Sequence, residues 1–379
     1  MTGTGTTTLA EMIAILERAY PIRLAESWDS VGLVCGDPDD TVTSVLCCVD
    51  VTDAVVDQAL DSGTDLVVAH HPLLLRGVDT VGTHTPKGRL IHRLIKGGCA
   101  LYTAHTNADS ANPGVSDALA GLLGLTNLRP LDPKPAEAID KWSVFVPADS
   151  AAAVREAMFD AGAGEIGDYS HCCWSTSGTG QFLPGAAADP AIGERGEVTE
   201  VSEDRVEMVA NRRVRSRVLT ALRTAHPYEE PAFDLIEPAP ARGDEGLGRV
   251  GELGEPMTLA AFTTRVAQAL PTSAVGIRAA GDPEMTITTV AVCGGAGDSM
   301  LATARAVGAD VYVTGDLRHH PVDEHLRGGG PALIDAGHWS TEFPWCQQAA
   351  DLLAGAVPGL VTAVFSQPTD PWTIHRSGQ

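Results

Sequence analysis

The sequence predicts an α/β fold: a split α/β core of two similar halves with parallel or mixed sheets, plus an inserted ferredoxin-like βαββαβ module. Three observations carry this. Strand and helix signals alternate over the first third of the chain, the same alternation returns after residue 289, and the segment between them changes order to βαββαβ. With 379 residues the chain has room for two or three domains. Apolar residues at 44% and charged residues at 20% fit a soluble globular protein with a sizeable core.

Leu9, Met12, Ile13, Leu16 and Tyr20 recur at helical spacing, with Thr8 and Glu11 set as a capping box and Pro21 as the stop. Residues 45–49 read as a strand, a helix opens at Thr52 and closes at Gly63, and residues 66–69 read as the next strand. Two strands joined through a helix over so short a span form a βαβ unit, which requires a parallel pair. Thr85-Pro86 then supplies N-cap and N1 of a helix that Gly97-Gly98 ends, and residues 99–103 form its strand. Late in the chain residues 289–293, 311–314 and 332–334 read as strands, and residues 298–307 and 340–353 as helices. Residues 97–101 echo 329–333 and residues 64–68 echo 309–313, a faint internal likeness of the two halves.

The middle follows another grammar. A strand at 142–146 leads to a helix with Val154, Ala157, Met158 and Ala161 on one face, then a strand at 169–176 and a long polar stretch. A strand at 206–210, a helix carrying Val214, Val218, Leu222 and Ala225, and a strand at 232–236 complete βαββαβ. The proline-rich flanks 130–135 and 238–243 read as linkers, so the expected domains are 1–130 and 244–379 for the core halves and 131–243 for the insertion.

Lys and Arg number 26 against 49 Asp and Glu, a net charge of −23, and such a surface repels phosphate backbones and anionic lipid. Nucleic acid and membrane are therefore excluded as first partners. No basic run followed by an apolar core opens the chain and no stretch is long enough to span a bilayer, so a cytoplasmic location is expected. The eight cysteines form no C-x-x-C pair and mostly sit in apolar runs, which favours buried reduced thiols.

Three strands of the core end in metal-capable groups: His70-His71-Pro72, His105-Thr106-Asn107-Ala108-Asp109, and His338 with Glu342 at i, i+4 on a helix start. In open parallel sheets ligands collect beyond the carboxyl ends of strands, where all three lie. Successive side chains on extended backbone point apart, so His70 and His71 can serve different ions. Each motif also has a plain reading: a packed histidine pair, a turn rich in Asn and Asp, a solvated helix cap. Together they offer imidazoles and carboxylates with no cysteine, a donor set suited to two ions of the zinc, iron, manganese or cobalt kind. His171, Cys172 and Cys173 form another metal-like cluster, but strand alternation divides the cysteines between two faces and packing is the better reading. His226-Pro227-Tyr228-Glu229-Glu230 ends a helix and turns the chain, its carboxylates facing a ligand or solvent equally well. His319, His320 and His325 read as a polar helix start.

Taken in order, Trp28-Asp29-Ser30-Val31-Gly32-Leu33, His70-His71-Pro72, the 105–109 motif, Thr314-Gly315-Asp316 and residues 335–342 closely resemble the NIF-three-like dinuclear-metal family, often labelled GTP cyclohydrolase I type 2. The likeness runs from about residue 9 to 366. It implies metal ligands at His70, His71, Asp109, His338 and Glu342, two divalent ions per subunit, and a carboxylate bridging them. It also implies toroidal homohexamers with the sites facing inward and a PII-like or CutA-like insertion, whose signatures would be residues 178–184 and 226–231. His105 matches the motif as a residue in or next to the ligand shell, a catalytic proton shuttle that orients a water. Trp339 stands where many members have tyrosine, and His319-His320-Pro321 adds a second histidine pair beside Gly315-Asp316.

Two ions can share a bridging water and lower its pKa towards neutrality, so the enzyme reading is a two-metal hydrolase acting on a nucleotide-like or heterocyclic small molecule. The sequence shows no Walker-type phosphate loop and no Lys or Arg cluster beside these motifs to hold a triphosphate. The rival reading is a non-catalytic, metal-dependent ligand-binding or regulatory hexamer, an analogy resting on the PII-like order of the insertion.

Overall fold

In the computed structural model, residues 7–239 and 242–376 are described. Of the opening segment 1–8, residues 1–6 lie outside the described residues, as do 240 and 241 of the 238–243 flank. The chain divides into two compact units, one of Met1–Lys134 with Asp244–Gln379 and one of Pro135–Gly243.

The first unit holds two larger mixed sheets. In the five-stranded sheet Val361–Val364, Ser44–Cys48, Leu66–Ala69 and Ala100–Thr103 run parallel, and Gly32–Cys35 closes the edge antiparallel. Its three inner strands are apolar on both faces, as strands covered on both sides require. Val45, Cys47, Leu66, Val68 and Tyr102 face helix Leu9–Ala19 and Trp345 of helix His338–Ala356. Leu46, Cys48, Val67 and Leu101 face helices Asp53–Asp61 and Pro86–Lys96. Thr8, Thr52 and Thr85 each cap the helix they open, and Thr8 with Glu11 closes the full capping box.

The six-stranded sheet runs Arg278–Ala280, Ala332–Asp335, Val311–Gly315, Thr286–Ala296, Arg242–Thr258, Leu125–Pro135. Its Ala332–Asp335, Val311–Gly315 and Thr286–Ala296 strands are parallel, and the strands flanking them pair antiparallel. The structure departs from the sequence reading at both flanks of the insertion. Residues 130–135 are not a linker but the end of strand Leu125–Pro135, whose three prolines are tolerated because the strand is the sheet edge. Glycine-rich Arg242–Thr258 is likewise a strand, whose pairing comes from its neighbours rather than from side-chain propensity.

The second unit has a four-stranded antiparallel sheet in the order Ala232–Ile236, Ile139–Pro147, Thr199–Asn211, Cys173–Phe182. With helices Ala151–Asp160 and Arg215–Ala225 the chain order is βαββαβ. Trp142, Val144, Val206 and Met208 pack against Val154, Met158, Val218 and Leu222 of the helices. The strand expected at 169–176 begins only at Cys173, because the chain turns at Ile166 and Tyr169 and His171 takes φ 58°. Cys173 is exposed and Cys172 half-buried, so packing does not account for this pair; all eight cysteines are free.

One ion-pair group in this unit yields a stability prediction. Asp140 is fully buried and accepts hydrogen bonds from Arg215 Nε at 2.7 Å, Arg215 Nη2 at 2.6 Å and Arg212 Nε at 3.2 Å. The Arg215 hydrogen bonds hold its carboxyl below the usual range. A depressed folded pKa adds stability that is present above the unfolded value of about 4 and is lost as pH falls through the folded one. Asp140→Asn is expected to cost about 1–2 kcal/mol at pH 7, a modest figure because the arginines are about one-third exposed. Urea unfolding checks this: the gap between wild type and variant should shrink towards pH 3.

Candidate metal centre

The site is built where strands of both sheets in the first unit end. After Leu66–Ala69 the parallel ladder runs two residues further, His70 N–H donating to Cys48 O and His71 N–H to Val49 O. His105 follows Ala100–Thr103, and Asp109 lies in the short helix Thr106–Ser110. Gly337, at φ 80°, turns the chain from Ala332–Asp335 so that the helix starts at His338 rather than at Ser340.

These residues meet. Glu342, 4% exposed, has Oε1 3.5 Å from His70 Nε2 and 3.1 Å from His338 Nε2, while Oε2 is 3.1 Å from His71 Nε2. His71 Nε2 and His338 Nε2 are 3.3 Å apart, and Asp109 Oδ1 lies 3.7 Å from His70 Nε2. Ligand atoms of His70, His71 and His105 fall within 4.8 Å of one another, as do those of His71, His338 and Glu342. His319, His320 and His325 stay in helix His319–Arg327 and join neither group.

Each imidazole is held from behind. His71 Nδ1 donates to Asp50 at 2.7 Å, His338 Nδ1 to Asp316 at 2.7 Å, His105 Nδ1 to Asp29 at 2.8 Å, and His70 Nδ1 to the Ala104 carbonyl at 2.9 Å. That leaves Nε2 of all four rings turned inward, the tautomer and orientation seen when a carboxylate or carbonyl backs a ligating histidine. Asp29 and Asp316 lie within the motifs at 28–33 and 314–316, whereas Asp50 belongs to none of the motifs. The rule that points to His70 and His71 also finds Asp50 and Asp316, for each follows a parallel strand's carboxyl end. Asp50→Asn should weaken metal binding about 10–100-fold with the fold intact, measured by competition with a chromogenic chelator.

Burial lowers the His71 pKa, but the Glu342 charge and the Asp50 hydrogen bond outweigh it and carry it up to about 11. His338 is raised to about 9 in the same way, against burial, by Glu342 and Asp316. Burial raises Glu342, yet the surrounding imidazoles hold it well below the usual carboxylate range. Asp109 is raised, chiefly by burial. Burial also works to raise Asp29, but hydrogen bonds from His105 and Thr106 keep it well below its ordinary value.

The donor set fits a metal on the structure's own terms. His70 Nε2 and Glu342 Oε2 are buried and make no hydrogen bond, although nitrogen and oxygen atoms crowd around them at contact distance. Buried polar atoms without partners are costly, and an ion among them removes the cost. Gly295, at φ 67°, keeps the space clear: a Cβ there would lie 2.2 Å from Glu342 Oε1 and 3.1 Å from His338 Nε2.

Fold and site together define a mixed α/β protein with a His- and Glu-lined cluster able to hold metal. The sequence profile of the Duf34/NIF3 (NGG1p interacting factor 3) family matches residues 7–371. The chain belongs to this family. It is 58% identical over 374 residues, 98% of each chain, to the Mycobacterium tuberculosis protein named GTP cyclohydrolase 1 type 2 homolog. A Bacillus subtilis protein of the same name is 40% identical to this chain over 88% of each. Among solved structures, a Bacillus cereus protein related to NIF3 has a TM-score of 0.76 at 37% identity, with 98% of this chain and 100% of that one covered. A Staphylococcus aureus protein reaches 0.82 at 28% identity, with 97% and 99% covered.

Proposed function

We propose that this chain holds two divalent ions and hydrolyses a small nucleotide-like or heterocyclic molecule. The observation that carries the reading is that the Nε2 atoms of His70, His71 and His338 surround the buried Glu342 carboxylate, with His105 beside His70 and His71. Glu342 would be the carboxylate common to both sets of ligands, because its oxygens contact His70, His71 and His338 alike. His70, Asp109 and Glu342 would hold one ion, and His71, His338 and Glu342 the other. Ions of the zinc, iron, manganese or cobalt class bound there supply Lewis-acid polarisation and lower the pKa of a coordinated water.

His105 serves as the proton carrier. Its Nδ1–H is committed to Asp29, which fixes the tautomer and leaves Nε2 as an acceptor beside His70 and His71. Thr106 holds Asp29 in turn through its backbone N–H at 3.0 Å and its hydroxyl at 2.5 Å. The name borne by the relatives supports a purine nucleotide among the molecules to test. A working homohexamer is proposed from the family resemblance, and a cytoplasmic location from the sequence. A net charge of −23 argues against nucleic acid as partner. No helix among the described residues is long and apolar enough to cross a membrane.

The test is to assay metal-loaded chain against nucleotides and heterocycles beside a His71→Ala, Glu342→Ala double variant. Turnover that the variant lacks is the expected result. Tight binding without turnover would replace the enzyme with a metal-dependent ligand-binding or regulatory assembly. Retention of fewer than about one ion per chain at neutral pH overturns both. Sizing in solution checks the hexamer separately, and a monomer would overturn it while leaving the metal proposal standing.

A further inference from the structure

We infer that the Pro135–Gly243 unit carries a binding site of its own for a small organic cation with an apolar body. The site lies on the sheet face opposite the one packed by the unit's helices, since Phe145 and Glu203 alternate with the core residues Val144, Val146 and Val206. Residues 178–184 and 226–231, which the metal centre leaves without a part, come together there around a cavity of about 360 Å³. That volume is in the range of small-molecule sites.

Phe145, Phe182, Pro184, Ile192 and Tyr228 wall the cavity, with the Phe182 and Tyr228 rings edge to face at 5.7 Å. Glu203 supplies the charge. Tyr228 Oη donates to its Oε1 at 2.8 Å, and its Oε2 occupies the space that a side chain at Gly180 would take, 2.2 Å from a Cβ built there. Gly180 is thus what lets the carboxylate lie against the neighbouring strand. His226, buried, donates from Nε2 to the Phe145 carbonyl at 3.0 Å and accepts the Tyr228 N–H on Nδ1 at 3.1 Å, which fixes the turn bearing Tyr228. Glu229 Oε2 accepts the Asp189 N–H at 3.0 Å and ties the loop after Pro184 across the cavity.

The charge balance selects the ligand. Glu203, Glu229 and Glu230 line the cavity, and among the described residues no Lys or Arg does. Arg205 lines an adjoining cavity that shares Phe145, Gly180 and Glu203, but its guanidinium is 2.6 Å from Glu207 and stacks over Phe145 at 5.8 Å. Among the described residues Glu203 therefore has no basic side chain within ion-pair distance. A carboxylate without a cation, enclosed by aromatic rings, favours an ammonium on a hydrophobic body over an anion or a neutral molecule.

The test uses the whole chain and calorimetric titration with 2-phenylethylamine, 2-phenylethanol and phenylacetate. The amine should bind with a dissociation constant of about 1 mM or tighter, at least about tenfold tighter than the alcohol, and phenylacetate should not bind. Glu203→Gln should abolish the preference for amine over alcohol, Gly180→Ala should do the same by displacing the carboxylate, and Phe182→Ala should weaken both ligands. Unchanged urea midpoints and metal content show that each variant is folded; where Gly180→Ala fails to fold, Glu203→Gln decides. Equal affinity for amine and alcohol, selectivity that survives Glu203→Gln, or no binding of the amine at about 10 mM would overturn the proposal.

Discussion

Glu342→Ala is expected to release the metal from purified protein, with ion content falling well below one per chain while the fold is kept. The argument is geometric. Among the described residues Glu342 is the one carboxylate in contact with His70, His71 and His338 together, at 3.5, 3.1 and 3.1 Å. If it bridges, its removal takes a ligand from both ions and leaves opposed ring nitrogens 3.3 Å apart with no anion between them. Even a partner outside the ligand shell can cost roughly 100-fold in affinity, so loss of the bridge should cost more. Glu342→Gln, which keeps the shape and one oxygen, should retain some metal and fall between. Elemental analysis after dialysis reads the result, and full occupancy in Glu342→Ala would sink the dinuclear assignment.

Arg249→Ala should lower stability strongly, by about 3–5 kcal/mol. Arg249 is 1% exposed. It donates from Nε to Asp117 Oδ1 at 2.8 Å, from Nη1 to the Gly246 and Gly248 carbonyls at 2.7 and 2.8 Å, and from Nη2 to the Ala111 carbonyl. Nη2 also pairs with Asp117 Oδ2 at 2.7 Å. Asp117 meanwhile accepts the Gly114 N–H that opens helix Val115–Leu122, so the arginine joins that helix start to strand Arg242–Thr258. Truncation leaves the half-buried Asp117 carboxylate and several carbonyls without their donor. A melting-temperature drop of roughly 6–20 °C is expected for a unit of this size, and a drop of under about 2 °C would contradict the account. Arg249→Met, which fills the volume without the donors, should be nearly as unstable.

What could be read in advance followed the range of the signals. Thr8 with Glu11, Thr52 and Thr85-Pro86 announce helix starts because a cap is a contact over three residues, and strand 66–69 is apolar on both faces, as a covered parallel strand must be. His70, His71, His105, Asp109, His338 and Glu342 were visible as metal-capable types at strand ends. Their backing acceptors were less so: Asp50 looks like any polar residue ending a strand until His71 is seen 2.7 Å away. Residues 130–135 read as a linker from sequence because proline content marks one, and only their place at a sheet edge makes them a strand. Arg249 carried no signal either, since arginine is normally exposed and its partners Asp117 and Ala111 are more than a hundred residues away.

By itself the sequence determined the periodic elements, the helix caps, the βαβ rounds and the chemical types available at strand ends, because each depends on neighbours within a few residues. Tertiary structure alone decided which of twelve histidines share a pocket, which nitrogen of each ring is free, and which carboxylate stands among them. It also decided that one cavity of the Pro135–Gly243 unit joins two otherwise unassigned segments. The physical reason is distance along the chain: His71 and His338 are 267 residues apart and touch only because two sheets bring their carboxyl ends together, an arrangement set by the whole core and written in no local stretch of it.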